Sequence, residues 1–165
     1  MADRTIEDML QPSLLDRLTD DEPGSKTEAR DARVIDVYRL REIIRRDLAW
    51  LLNSNNLGSE LDEEKYPEIS RSSLNYGVRE VSGEFSTKER AELIRASMKV
   101  AIERFEPRIR EGSLDIELRQ VERTCDAMVS FDIVADMWAQ PIPLELYLRS
   151  EVDVTTGALD LTLER

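Results

Sequence analysis

The sequence predicts a two-layer α+β domain, with two long helices packed on a mainly antiparallel four-stranded sheet formed by the C-terminal half. Three observations carry this. Two long stretches, at 33–52 and 86–106, repeat apolar residues at helical spacing. After Gly112 the repeat shortens to two, in four separate runs. Each run has a single apolar face, and the two helices provide its cover. A chain of 165 residues favours one such domain with one core.

Residues 1–31 hold nine acids and four bases, and "TDDEPGS" at 19–25 is a clear breaker. We assign 1–31 as a flexible acidic arm and 32–165 as the single α+β domain. Within the arm, "PSLLDRL" at 12–18 sets Leu14, Leu15 and Leu18 at helical spacing. So short a segment builds no core of its own, so these leucines dock elsewhere. Their own domain and a partner are equally open as the receiving surface.

In the first long helix, 33–52, residues Val37, Leu40, Ile44, Leu48 and Leu51 form one buried stripe. Arg41 and Arg45, one turn apart, belong to a more polar face that reads as solvated. "NSNNLGSELDEE" at 53–64 supplies a turn-rich loop. In the connector 66–78, Pro67 forces an extended residue before it, and Gly77 ends a short helical turn through positive φ. Tyr66, Ile69, Leu74 and Tyr76 read as its packing groups. The second long helix opens at Ser86, which forms a capping-box pattern with Glu89. Ile94, Met98, Ala101 and Phe105 make its stripe, reinforced by Leu93 and Ile102. Pro107 stops it, because proline lacks the amide that would continue the ladder.

The first strand alternates Leu114, Ile116 and Leu118 against polar neighbours, and the second alternates Ala127, Val129, Phe131, Ile133 and Ala135. Leu144, Leu146 and Leu148 mark the third. Leu159, Leu161 and Leu163 mark the fourth, after a turn at 155–157. This last strand reads as a sheet edge. Asp160 and Glu164 protect such an edge, or an incoming strand extends it. A proline at Thr162 is expected to block that extension by removing a main-chain donor.

Composition narrows the function. The chain has 35 acids against 23 bases, a net charge of −12. That balance argues against general nucleic-acid binding and against adhesion to an anionic membrane. Only Lys26, Lys65, Lys88 and Lys99 are lysines; the other 19 bases are arginines. Arginine is the cation favoured at protein interfaces, so the bias hints at partner surfaces. Histidine is absent, which removes histidine triads, general bases and metal sites. Cys125 is the only cysteine, so neither an intrachain disulfide nor a thiolate metal cluster forms. Residues 1–11 lack the apolar core of a signal peptide, and no run approaches the ~18 apolar residues of a membrane span. The expectation is a cytoplasmic protein without direct membrane insertion.

No phosphate-binding glycine loop, dinucleotide fingerprint or EF-hand pattern is present. The acid runs Asp20-Asp21-Glu22 and Asp62-Glu63-Glu64 read as solvated loops rather than metal sites. Ser70, Ser72 and Ser73 have neither a histidine nor a nearby lysine to activate them. We therefore assign no catalytic residue, no metal and no cofactor. The remaining catalytic class is a carboxylate pair, as in a peptidoglycan hydrolase. Glu106 is its conceivable acid, at the end of "STKERAELIRASMKVAIERFEPRI". A carboxylate is disfavoured at a helix C-terminus, where the helix dipole is negative. Arg108, two residues on, answers that charge, and a carboxylate paired with arginine makes a poor proton donor. We read Glu106, Pro107 and Arg108 as a helix stop that holds an ion pair, either within the chain or across an interface.

"SLLDRL", "RRDLAWLLN", "YPEISRSSLNYGV" and "FEPRI" occur in that order before a strand-rich end. This ordered set resembles the TssE family of type VI secretion baseplates, related to the "lysozyme-like" wedge protein of contractile phage tails. The resemblance runs from about residue 13 to the last strand. It implies a structural, non-enzymatic role beside the wedge subunits TssF, TssG and TssK, where the sheet accepts a strand from contractile sheath subunits. It also implies partner binding by Glu106, Pro107 and Arg108, by Leu14, Leu15 and Leu18, and along the strand carrying Leu159, Leu161 and Leu163.

Overall fold

The computed structural model of the chain describes residues 12–19, 23–24, 35–62, 64–80, 88–119, 128–138 and 144–164. Among the described residues four α-helices precede four strands: α1 (Leu14–Leu18), α2 (Val37–Leu52), α3 (Pro67–Ser70), α4 (Lys88–Phe105), then β1 (Asp115–Arg119), β2 (Met128–Met137), β3 (Leu144–Asp153) and β4 (Leu159–Leu163). The strands form one antiparallel meander in the order β1-β2-β3-β4. This is the predicted α+β arrangement, with both long helices present.

α2 begins four residues later than expected. Asp36 caps it, its carboxylate accepting the Arg39 N–H at 2.7 Å, so Ile35 and Asp36 stay outside the helix. Ser86, the expected cap of α4, lies outside the described residues, as do Ala127 and Cys125. Leu40, Ile44, Leu48 and Leu51 are buried as their spacing requires, joined by Ile43 and Leu52; Val37 is only half-buried. From α4, Ala91, Ile94, Met98, Ala101 and Ile102 enter the core and Phe105 packs at its margin. Leu93 does not. It stands exposed on the outer face, because Ile94 and Met98 already fill the stripe that faces the sheet.

The buried face of the sheet is built from Ile116, then Val129 to Met137 at alternate positions, Leu146, Leu148, Val152, Leu159 and Leu161. The opposite face is charged. Arg149 spans it, reaching Asp132 on β2 at 3.6 Å and Glu164 beyond β4 at 2.5 Å. With ion pairs on that face, the sheet has one helical layer among the described residues and no second one. β2 and β3 also run longer than expected, continuing through Met137 and Val152 with the same alternation.

The connector is held more by polar groups than by its predicted apolar ones. Tyr66 and Leu74 are exposed, whereas Asn75 is 3 % exposed. Its side chain donates to Ser70 O at 2.9 Å and accepts from Leu57 N–H at 2.9 Å. Tyr76 stacks edge-on against Phe105, with ring centroids 5.3 Å apart. Gly77 has φ +119° as expected of a positive-φ glycine, but its role is close approach. A Cβ there would lie 2.1 Å from the Ser54 carbonyl oxygen, in the short parallel bridge joining Asn55 to Val78. No helix among the described residues is long and apolar enough to cross a membrane.

Two glycine substitutions test this packing. Gly77→Ala combines a disfavoured φ with a backbone collision and should lower unfolding free energy by at least about 2 kcal/mol. Gly112→Ala, at φ +77° with no atom within 4 Å of the new Cβ, should cost only about 1 kcal/mol. Urea unfolding followed by circular dichroism reads both.

Candidate partner-binding site

α4 ends at Phe105, and the next three residues place a carboxylate, a turn and a guanidinium in fixed relation. Glu106 N–H still completes the last helical turn by donating to Ile102 O at 2.9 Å, and Pro107 then prevents a further turn. The chain passes directly into extended pairing with the end of β2. Arg110 N–H donates to Asp136 O at 2.8 Å, and Trp138 N–H donates to Arg108 O at 2.7 Å. The segment is thereby anchored on both sides of Ile109.

Glu106 is 5 % exposed, and both of its oxygens are occupied by Arg108. Arg108 Nε donates to Oε1 at 2.6 Å, Nη2 donates to Oε2 at 2.5 Å, and the Arg108 main-chain N–H adds a bond to Oε1 at 3.1 Å. This is a bidentate pair with one further donor. Nη2 also reaches Asp47 Oδ2 on α2 at 2.7 Å. Burial alone would pull the Arg108 guanidinium down, but Glu106 and then Asp47 outweigh it and hold it above its ordinary value. Burial raises the Tyr76 hydroxyl, and the charges of Asp47 and Glu106 raise it further.

The chain of charges continues outward. Arg46 donates to Asp47 Oδ1 at 2.7 Å, lies 4.9 Å over the Trp50 ring, and reaches Asp16 of α1 at 2.6 Å and 3.1 Å. Glu106, Arg108, Asp47, Arg46 and Asp16 thus alternate in sign from the end of α4 to the N-terminal segment. The predicted Glu106–Arg108 ion pair lies within the chain. Asp47, Arg46 and Asp16 were missed. Arg46 and Asp47 sit in "RRDLAWLLN", where the signal was a charged pair beside the buried stripe, with nothing in the sequence to say which distant charge they meet.

α1 is held by its polar face. Asp16 is its inward residue, and the Ser13 hydroxyl caps the first turn and donates to the Asp16 carboxylate. Leu14, Leu15 and Leu18 are 70 %, 48 % and 74 % exposed. They do not dock on this chain's own core, and remain available to another surface.

Leu159 and Leu161, by contrast, are buried, and Leu163 packs against the core. Their side chains offer nothing to a partner; what β4 exposes is its main chain. Ala158 O accepts from Asp153 N–H and Glu164 N–H donates to Tyr147 O, so even-numbered residues face β3. By the alternation of antiparallel pairing, Leu159, Leu161 and Leu163 turn their N–H and C=O groups outward. Thr162, opposite Arg149, belongs to the inward set. A proline there breaks the β3–β4 ladder rather than the outer edge, contrary to the expectation from sequence.

The face of α2 carrying Arg41 and Arg45 borders this edge instead of standing free in solvent. Arg41 donates to Glu145 O at 2.8 Å and Arg45 to Leu161 O at 3.3 Å. An open groove lies beside them, lined by Tyr38, Glu42 and Arg45 from α2 and residues 160–163 of β4.

Two predictions test the cluster. Arg108→Ala leaves the enclosed Glu106 carboxylate unpaired and should cost about 3 kcal/mol of stability in urea unfolding, with Glu106→Gln costing less. The hydrogen bonds from Arg46 hold the Asp16 carboxyl below the usual carboxylate range, outweighing a desolvation that pushes it up. Its folded value is depressed, so the α1 attachment it supports is fully present above the ordinary value of about 4 and is lost as pH falls through the lowered one. Protease cleavage between α1 and α2 should rise in that acid range, and Asp16→Asn should show the raised cleavage already at neutral pH.

Residues 38–142 match the sequence model of a protein family described as "Baseplate wedge protein gp25". The match runs from the first turn of α2 through β2 and includes the Glu106-Pro107-Arg108 segment; α1, β3 and β4 lie outside it. The chain matches no curated protein and no solved structure. The family is one of structural components of contractile baseplates. With well over half of its length matched, the chain belongs to the gp25 baseplate wedge family, which is also the family of TssE.

Proposed function

We propose that this chain is a wedge subunit of a type VI secretion baseplate, assembled with TssF, TssG and TssK in the cytoplasm, and that it starts the contractile sheath by accepting a sheath strand at β4. The observation that carries the proposal is the β4 edge. It is the terminal strand of the sheet, its stretch 160–163 borders an open groove, and among the described residues no further strand pairs with it. Family membership supplies the baseplate context.

The other predicted partner-binding residues take distinct roles in this reading. Leu14, Leu15 and Leu18 dock on a neighbouring wedge subunit, being apolar, exposed and held outward. Glu106, Pro107 and Arg108 act indirectly, by fixing Asp47 and Arg46 and so the position of α1. Peptidoglycan hydrolysis draws no support from Glu106, whose oxygens are both bound by Arg108 rather than turned to a cleft.

Leu163→Pro tests strand addition, because it removes an outward donor and spares the inward ladder. The variant should fold, shown by circular dichroism, and join the wedge in pull-downs with TssF, TssG and TssK. It should nevertheless fail to nucleate sheaths visible by fluorescence microscopy. Normal sheaths in that strain, or full-length sheaths in a deletion strain, would refute the proposal.

A further inference from the structure

The β4 edge is not uniformly open. Asn53, the residue that caps the C-terminus of α2, turns its carboxamide onto Leu159. Its Nδ2 donates to Leu159 O at 2.8 Å, and its Oδ1 accepts Leu159 N–H at 2.9 Å. One donor and one acceptor are what a residue of a neighbouring strand would present. Asn53 therefore stands where an added strand would continue, and satisfies both outward groups of Leu159.

The remaining contacts on this edge differ in kind. At Leu161, the C=O is met by the long Arg45 side chain at 3.3 Å, and the N–H by Asp160 Oδ1 at 3.0 Å. Both side chains border the open groove: Arg45 reaches Leu161 on a long stem and also donates to Glu42 Oε2 at 3.2 Å, and Asp160 is the neighbouring residue of β4 itself. Asn53 is short, and its Nδ2 is pinned a second time by Ala49 O at 2.8 Å, inside the last turn of α2. Its position is set by the helix, so the contact at Leu159 is a fixed one and those at Leu161 are replaceable.

We propose that Asn53 is a register stop: it closes β4 to main-chain pairing at Leu159 and confines an added strand to Leu161 and Leu163. The stop deepens the strand-addition reading and rests on it for its purpose. A one-residue slip of an added strand would turn its side chains to the wrong face, so a fixed end to the pairing has a structural use. It also leaves less bare edge for pairing between copies of the chain.

Residue-resolved hydrogen exchange, read by mass spectrometry with soft fragmentation, tests this on the full chain. In the isolated protein the Leu159 amide should be protected, and Asn53→Ala should speed its exchange about tenfold, as expected for one lost hydrogen bond. Phe131 in the central strand should keep its rate, which separates the local effect from unfolding. Asn53→Gln, with the same groups on a longer stem, should restore part of the protection. Unchanged Leu159 exchange in Asn53→Ala overturns the proposal. A second arm adds purified sheath subunits: protection should appear at Leu161 and Leu163 in the parent protein and extend to Leu159 in Asn53→Ala. The same footprint in both proteins overturns the register role. No footprint on β4 in either one overturns strand addition itself, a result distinct from the isolated-chain measurement.

Discussion

A carboxylate enclosed at the C-terminal end of a helix is electrostatically misplaced twice, by desolvation and by the helix dipole. Glu106 is tolerated there because Arg108 closes on both of its oxygens. Much else in the fold follows from that requirement. The chain must turn at once to bring Arg108 back, and Pro107 ends α4 where it does. The return path lays Ile109 against Met137 and so starts the sheet at a defined distance from the helix. The second bond from Arg108, to Asp47, ties the end of α4 to the middle of α2. The Arg108 guanidinium thus registers helix on helix, and its main-chain carbonyl, taking the Trp138 N–H at 2.7 Å, registers the same segment on the sheet.

Around that point the fold divides its labour by chemistry. The apolar layer between the helices and the sheet supplies the bulk of the stabilising burial, and it is continuous from Leu40 on α2 to Leu161 on β4. The polar contacts supply direction. Asn75 organises the connector, Arg149 spans the open face of the sheet, and Arg41, Arg45 and Asn53 run along one border of α2 to meet outward main-chain groups. Each answers a donor, acceptor or charge that the fold would otherwise leave exposed or unpaired.

For a wedge subunit, such an arrangement separates two surfaces. The outward leucines of α1 lie at the far end of the charge chain from Glu106, so this segment is held by ion pairs rather than by apolar burial. The β4 edge lies beside α2 and is partly closed by its side chains. α2 is thus the common element: Arg46 and Asp47 serve α1, while Arg41, Arg45 and Asn53 border the edge.

The sequence by itself determined the class of the fold, because the periods of 3.6 and 2 dictate which side chains share a face. The stripes through Ile44 and Met98, the alternation through Phe131 and Ile133, and the stop at Pro107 were all legible on that ground. So was the Glu106–Arg108 pair, since two residues joined by a proline are already neighbours. Local pattern went wrong where a residue had competitors for the core or a distant polar partner. Leu93 has the composition of a core residue yet lies outside it, and Arg41 and Arg45 read as solvated yet reach the sheet. Asn53 read as a loop residue, although it fills the outward bonds of Leu159, 106 positions away in the chain. Which face of β4 is inward at Thr162, and which charge Arg46 meets, were likewise decided only by tertiary structure. Hydrogen bonds and ion pairs between distant segments leave no periodic trace, because their geometry exists only once the helices have settled on the sheet.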